Sequence, residues 1–171
     1  MRYDDLAIRN AYLADLGTLA EIKPPQALHK DRILVASQTL PFLYLVLTRA
    51  DIVIGFACLV FVRPEGWPDA NKAVHLPEIV DLVVAPELRD RGYGSFFIGE
   101  MENIAKARGY KAIYLSVDYP ANSNAHRFYQ RLGYQQLQAA PYQNHWEFMD
   151  SDGNFHQGNE LLVDMMKTLN S

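Results

Sequence analysis

The chain has almost no cysteine, no long apolar run and no clustered positive charge. Its single cysteine, Cys58, excludes an intrachain disulfide. The longest apolar run, residues 52–62, is far shorter than the roughly 20 residues that span a bilayer. The first five residues also lack the apolar stretch of a signal peptide. We therefore expect a cytoplasmic protein that makes no membrane contact.

The net charge is small and negative, because 16 lysines and arginines stand against 20 acidic residues. A nucleic-acid-binding domain needs clustered positive charge, so we expect no nucleic-acid partner. The histidines are scattered and lack the spacing of a metal site, so we expect no metal. An apolar share of 49% in 171 residues predicts one packed domain over residues 1–171.

Hydrophobic periodicity predicts an α/β domain with a mixed sheet and the element order β-α-α-β-β-β-α-β-α-β-β. The predicted strands are 6–9, 42–48, 52–62, 78–84, 112–117, 134–137 and 161–167. The predicted helices are 11–22, 26–37, 92–108 and 123–132. Residues 63–72 and 139–158 are predicted to be loops. The strand–helix–strand unit that starts at Glu78 predicts a parallel crossover.

A segment rich in glycine and arginine lies between the strand that begins at Glu78 and the following helix. It consists of Arg89, Asp90, Arg91, Gly92, Tyr93, Gly94 and Ser95. A helix N-terminus offers unpaired N–H groups and a positive dipole end, and glycine lets a backbone approach an anion closely. The segment therefore predicts a cradle for a phosphate or pyrophosphate. The alternative is that the two glycines only shape a tight loop.

Two motifs, taken together, resemble the GNAT superfamily of N-acetyltransferases. Arg89-x-x-Gly92-x-Gly94 is similar to the R/Q-x-x-G-x-G/A signature of that family. The segment from Asn122 to Tyr134 resembles its N-x-x-A-x-x-x-Y-x-x-x-G-F/Y pattern. The resemblance covers residues 78–134, and the rest of the chain agrees with the family in element order.

The resemblance implies a site for acetyl-coenzyme A. Backbone N–H groups of residues 89–95 would hold the pyrophosphate. The pantetheine arm would pair with a strand, like an added strand, through the backbone of Leu82, Val83 and Val84. Asn122 would hydrogen-bond that arm, and Asn124 is a second candidate that could instead cap the helix.

Acyl transfer to an amine requires a base, because an amine such as that of lysine has a pKa of about 10.4. The resemblance implies that Glu78 is this base, with Asp81 as the competitor and ordered water or His75 as further alternatives. In a regular strand Glu78 and Asp81 face opposite sides, and a β-bulge would change which one enters the cleft. Strand N–H groups near Val83 would stabilise the oxyanion. Tyr129 would protonate the leaving thiolate, or would only pack.

The resemblance implies that the acceptor contacts residues 11–37 and 139–158. The second segment combines aromatic and acidic side chains, namely Tyr142, His145, Trp146, Phe148, Phe155, Asp150 and Asp152. These would hold an organic cation or form a dimer contact, and the resemblance makes a homodimer an expectation. The favoured function is acetyl transfer to a primary amine of a small molecule or peptide. The alternatives are a silent coenzyme A sensor and an interaction domain.

Overall fold

A mixed eight-stranded sheet with helices packed on both faces forms the protein. The computed structural model describes residues 5–38, 42–62, 76–119 and 123–169, without the side chains of residues 38 and 123. The strands are β1 Leu6–Asn10, β2 Phe42–Arg49, β3 Ile52–Val60, β4 Glu78–Val84, β5 Ala112–Asp118, β6 Gln135–Gln136, β7 Tyr142–Met149 and β8 Phe155–Thr168. The helices are α1 Leu16–Ile22, α2 Gln26–Gln38, α3 Tyr93–Ala107 and α4 Ser123–Arg131.

The strands follow the order β1-β2-β3-β4-β5-β8-β6, and β7 pairs with β8. β4 and β5 are parallel, which confirms the predicted crossover through α3. The predicted loop at 63–72, His75 and Asn122 lie outside the described residues. No helix in the described ranges is both long enough and apolar enough to cross a membrane.

Each face of the sheet carries its own apolar core. One core contains Phe97 and Met101 of α3, packed against β4, β5 and β8. The other contains Leu19 of α1 and Ile33 of α2, packed against β2 and β3. The first core receives the apolar stripe of α3 that the sequence predicts, and both Phe97 and Met101 are fully buried.

The first helix begins later than its sequence predicts. Residues 11–22 were expected to be one helix, but a 3-10 turn at Leu13–Asp15 precedes α1. Ala11 still extends the sheet, because its N–H donates to the Tyr44 carbonyl at 2.8 Å. Asp15 then accepts a hydrogen bond from the Tyr12 N–H at 2.8 Å and pairs with Arg9. These polar contacts hold the chain in a turn before the helix starts.

The expectation that residues 139–158 form a loop is wrong. β7 and the first half of β8 pair in antiparallel register, from Tyr142 opposite Leu162 to Met149 opposite Phe155. Side chains of β7 alternate between partly buried and exposed along the strand. This alternation of period two is the mark of a strand. The final strand consequently extends well beyond the predicted 161–167, and β6 is shorter than the predicted 134–137.

A β-bulge interrupts β4. Cys58 of β3 faces Val80, whereas Phe56 faces Val83, so two residues of β4 lie opposite one residue of β3. Asp81 is one of these two residues and has a φ of 54°. A bulge with a residue in this left-handed conformation bends the strand and increases its twist.

The bulge changes which residues of β4 lie on the same face of the sheet. Ile79 packs with Leu82 and Val84 against the core beneath α3. Val80 and Val83 instead pack against the core beneath α1 and α2. Without the extra residue, Leu82 would lie on the same face as Val80. The bulge therefore determines which backbone and side-chain groups of β4 face each neighbour.

Close contact between β3 and the bulged strand predicts a strong effect of Gly55→Ala. A Cβ on Gly55 would lie 2.6 Å from the carbonyl oxygen of Val83, and a backbone atom cannot move aside cheaply. We expect Gly55→Ala to lower the free energy of unfolding by about 1–3 kcal/mol, a typical cost of overpacking. Urea titration measures it.

Gly99→Ala is the matched control, since a Cβ there meets nothing within 4 Å. It lies within α3, where alanine is favoured over glycine by up to about 1 kcal/mol. Equal stability of the two variants would contradict the close contact at the bulge.

Candidate functional site

A cleft of about 890 Å³ opens beside β4 and β5. The register between these parallel strands consists of two pairs, Glu78 with Tyr114 and Ile79 with Leu115. Beyond them the strands diverge, and α1, α2, α4, β7 and β8 contribute the remaining walls. Among the described residues, no strand pairs with the second half of β4 on its β5 side, and a bound chain could fill that edge.

The backbone of β4 directs hydrogen-bond donors toward this edge. Ala85 donates its N–H to the Ile54 carbonyl of β3 at 2.9 Å. Along an antiparallel pair, every second residue directs its N–H and C=O groups to the partner strand. The N–H of Val83, two residues before Ala85, therefore also points to β3. The N–H groups of Leu82 and Val84 consequently point toward β5 and the cleft.

Asp81 lies in the cleft wall, but it is engaged by two cations. Its carboxylate accepts hydrogen bonds from Lys23 Nζ and from Arg32 Nη1, each at 2.6 Å. Burial alone would raise the pKa of Asp81, but the positive charges of Arg32 and Lys23 outweigh burial and hold that pKa below its ordinary value. A carboxylate stabilised in this way is a weak base.

Glu78 lines the same cleft and is buried. Its Oε2 accepts a hydrogen bond from the Tyr114 hydroxyl at 2.8 Å. The sequence left open which of Glu78 and Asp81 enters the cleft. Both line it, because the extra residue of the bulge turns them to the same side. Their partners differ, since Asp81 meets two cations whereas Glu78 meets a neutral phenol.

The glycine-rich segment leads into α3 as predicted. Gly92 precedes the helix with a φ of 79°, and no side chain caps the first turn. Arg89 and Arg91 are exposed beside it, and Arg89 Nε donates to the Val84 carbonyl at 3.2 Å. A Cβ on Gly94 would meet the ring of Phe128 at 3.4 Å, an ordinary van der Waals distance. The place of Gly94 in the anion cradle stays a prediction.

Tyr129 lies on α4 and reaches the cleft. Its ring packs edge-on against Tyr134, with 5.7 Å between ring centroids. The hydroxyl makes no hydrogen bond with any other part of the chain that the structure describes. Burial raises the pKa of Tyr129 to about 12, so the phenol keeps its proton throughout the neutral range.

The two asparagines that the family pattern suggests have different outcomes. Asn122 lies outside the described residues. Asn124 is exposed, and its side-chain oxygen accepts a hydrogen bond from Arg127. Asn124 is not among the residues that line the cleft. Its binding role stays a prediction.

The β7–β8 hairpin supplies the aromatic wall of the cleft. Trp146 and Phe148 line the cleft, and their contact with an acceptor stays a prediction. His145 is exposed and bonds Asn159, and Phe155 is 57% exposed. These two residues lie on the outer face, where alternation along the strands places them.

Polar residues hold the cleft together, and apart from Tyr142 the sequence did not single them out. Tyr142 and Ser116 both donate to the Oδ1 of Asp164 at 2.7 Å, which joins three strands. Lys23, Tyr114 and Glu160 also line or support the site. No local motif marks these residues, because their partners are far away in sequence.

Solved structures of several N-acetyltransferases share this fold. The spermidine N-acetyltransferase of Vibrio cholerae with coenzyme A and spermine has a TM-score of 0.69 at 13% identity, over 97% of this chain and 96% of that one. The Brucella melitensis ribosomal-protein-alanine N-acetyltransferase has a TM-score of 0.68 at 20% identity, over 95% and 99%. The Sinorhizobium meliloti phosphinothricin acetyltransferase with acetyl-CoA has a TM-score of 0.67 at 19% identity, over 97% and 89%.

The similarity to the family extends over more of the chain than the two motifs do. No curated protein matches the chain significantly in sequence. The model of the acetyltransferase (GNAT) family, however, matches residues 7–134. That span begins in β1 and ends after α4, so it includes the bulged strand, the glycine-rich segment and Tyr129. The chain therefore belongs to the acetyltransferase (GNAT) family.

Proposed function

We propose that this chain, as a single domain over residues 1–171, transfers an acetyl group from acetyl-CoA to a primary amine of a small molecule or peptide. The amine attacks directly while both substrates are bound. The observation that carries the proposal is the bulged β4. It brings Glu78 to the cleft and turns the N–H groups of Leu82 and Val84 toward the same space.

The free edge of β4 and the start of α3 together suit acetyl-CoA. The pantetheine amides pair with the edge of β4 at Leu82 and Val84, as an added strand would. Val83, which was expected to be a third partner, instead directs its backbone to β3. The pyrophosphate lies at the N–H groups of the α3 N-terminus, with Arg89 and Arg91 beside it. Solved relatives with acetyl-CoA or coenzyme A bound support this choice of cosubstrate.

The reacting atoms need a donor for the oxyanion. The amine nitrogen attacks the thioester carbon, a tetrahedral intermediate forms, and the carbon–sulfur bond then breaks. The N–H groups of Leu82 and Val84 lie two residues apart on the edge toward the cleft, too far apart to donate to one oxygen. One of them is the donor for the negative oxygen, and the other pairs with pantetheine. Removing one such donor typically slows an acyl-transfer enzyme by about 10²–10³.

Glu78 is the base that takes a proton from the acceptor, either directly or through water. Asp81 is the poorer candidate, because Lys23 and Arg32 hold its charge and lower its pKa. Tyr129 donates to the departing sulfur. Its pKa of about 12 keeps it protonated at every pH at which the enzyme works.

Gly92→Asp tests the anion cradle. The substitution places a carboxylate where the pyrophosphate binds, so we expect the affinity for acetyl-CoA to fall at least about tenfold, or 1.4 kcal/mol. Calorimetric titration measures it. Gly109→Asp is the control, since Gly109 has a φ of 85° against 79° for Gly92 and follows the opposite end of the same helix.

Equal affinities of these two variants for acetyl-CoA would place the pyrophosphate elsewhere. Tight binding without thiol release from any amine would instead identify a silent coenzyme A sensor. Failure of the folded wild type to bind acetyl-CoA would favour an interaction domain.

Glu78→Gln and Asp81→Asn separate the two candidate bases. We expect Glu78→Gln to lower kcat, measured by thiol release, by about 10²–10⁴, the usual worth of a general base. Asp81→Asn should keep most of kcat. It should instead lower stability by about 3–5 kcal/mol, because it leaves Arg32 charged and buried. An unchanged kcat in Glu78→Gln would assign the proton to ordered water alone.

Tyr129→Phe tests the acid. We expect kcat to fall by about 10²–10⁴, and equally from pH 6 to pH 9, because the phenol stays protonated below a pKa of about 12. Steady-state thiol release measures it. Tyr119→Phe removes the same hydroxyl from a residue that is 43% exposed and should change nothing. A full rate in Tyr129→Phe would reduce Tyr129 to a packing residue.

The neighbours act on amines as different as spermidine and a ribosomal-protein alanine. The fold alone therefore does not select the acceptor. A homodimer and a cytoplasmic location stay predictions.

A further inference from the structure

The cleft carries an excess of negative charge. Five carboxylates line the cleft, namely Asp31, Glu78, Asp81, Asp118 and Glu160, against the two cations Lys23 and Arg32. Both cations are engaged with Asp81. The remaining carboxylates create a negative potential that draws positively charged ligands into the cleft.

A stack of three rings forms the β7–β8 wall. Phe148 lies between Trp146 and His156, with ring centroids 5.8 Å and 4.8 Å apart and planes tilted by 29° and 20°. His156 Nε2 donates to Asp150 at 2.7 Å, so this end of the stack is already paired with a carboxylate. Trp146, at the other end of the stack, is the ring that is left to contact a ligand.

The position of Trp146 is fixed by the strand beside it. Trp146 faces Gly158 across the hairpin, and a Cβ on Gly158 would lie 2.5 Å from the indole. The indole therefore lies flat over Gly158. A fixed tryptophan face attracts an organic cation more strongly than any other aromatic side chain does.

Glu160 is the next residue after Gly158 on the same face of β8. It lies opposite Asn144, whose side-chain nitrogen approaches Glu160 Oε2 at 3.4 Å. Within the described ranges Glu160 has no ion pair with lysine or arginine. Glu160 and the Trp146 ring thus combine a carboxylate with an aromatic face on the β7–β8 wall of the cleft.

The tip of the hairpin contacts α2. The Ser151 N–H donates to Asp31 Oδ2 of α2 at 3.0 Å, and Asp31 also lines the cleft. The β7–β8 wall is thus joined to the opposite wall of the cleft.

We propose that the acceptor is a small aliphatic di- or polyamine, whose second, protonated amine binds between the Trp146 ring and Glu160 while the first reacts near Glu78. This inference rests on the proposed acetyl transfer. The second ammonium group gains both a cation–π contact and a charged hydrogen bond. A hydroxyl group at the same position would gain neither charge interaction.

The test compares acceptors of equal length in the wild-type protein with acetyl-CoA. An α,ω-diamine, the matching amino alcohol and the matching alkyl monoamine are assayed by thiol release. We expect kcat/KM for the diamine to exceed that for the amino alcohol by at least about tenfold. Equal values for the two, or faster acetylation of a peptide N-terminus than of any diamine, would overturn the proposal.

Two variants locate the second amine. Glu160→Gln has the same shape without the charge, and we expect the preference for the diamine to fall to less than about threefold. Glu147→Gln changes the same residue type on the exposed outer face of the hairpin and should retain the full preference. Retention of the preference in Glu160→Gln would place the second amine elsewhere and contradict the proposed subsite.

Binding separates this inference from the proposed function. The diamine is titrated calorimetrically into the protein saturated with coenzyme A, which needs no turnover. If Glu160→Gln weakens the binding of the diamine, the subsite is supported. This holds even if no acceptor leads to thiol release, and only the proposed transfer reaction is then wrong. Thiol release from amines without any diamine preference supports the transfer and overturns the subsite.

Discussion

The ion pair between Asp81 and Arg32 is the constraint on which the site depends. Asp81 occupies the bulge of β4 with a positive φ, and Arg32 comes from α2. The pair therefore joins the strand proposed to bind the cosubstrate to a helix of the cleft wall that is proposed to contact the acceptor. Arg32 is 9% exposed, so loss of its partner would leave a buried charge without compensation.

This ion pair also gives the site a defined dependence on pH. Because the pKa of Asp81 is lowered in the folded protein, its stabilising contribution is fully present above the ordinary carboxyl pKa of about 4. The contribution is lost as the pH falls through the lower, folded-state pKa. Neutral conditions leave it intact, and acid weakens the link between the two walls.

Local patterns predicted the parts of the fold that depend on neighbouring residues. The helix from 92 to 108 was predicted because its apolar stripe recurs at helical spacing, and α3 spans Tyr93–Ala107. Gly92 adopts the left-handed conformation that its place before the helix requires. Glu78–Val84 was predicted with its observed bounds, because a run of β-branched residues ends at a proline.

Contacts between distant residues could not be read from the sequence. Lys23 and Asp81 are 58 residues apart, and Asp81 and Arg32 are 49 apart. The hairpin of β7 and β8 was also missed. Its inner face lines a cleft and therefore carries Asn144 and Glu160 as well as rings, which removes the contrast between apolar and polar residues that marks an ordinary strand.

Strand β8 is continuous and pairs with both β5 and β7. Leu162 of β8 faces Asp118 of β5 on one edge and Tyr142 of β7 on the other. The N-terminal half of β8 thus pairs with the strand that carries Trp146 and Phe148, and its C-terminal half completes the sheet next to β5. The aromatic wall and β5 are therefore aligned by one continuous backbone, so the register of β8 with β5 also sets where Trp146 lies along the cleft.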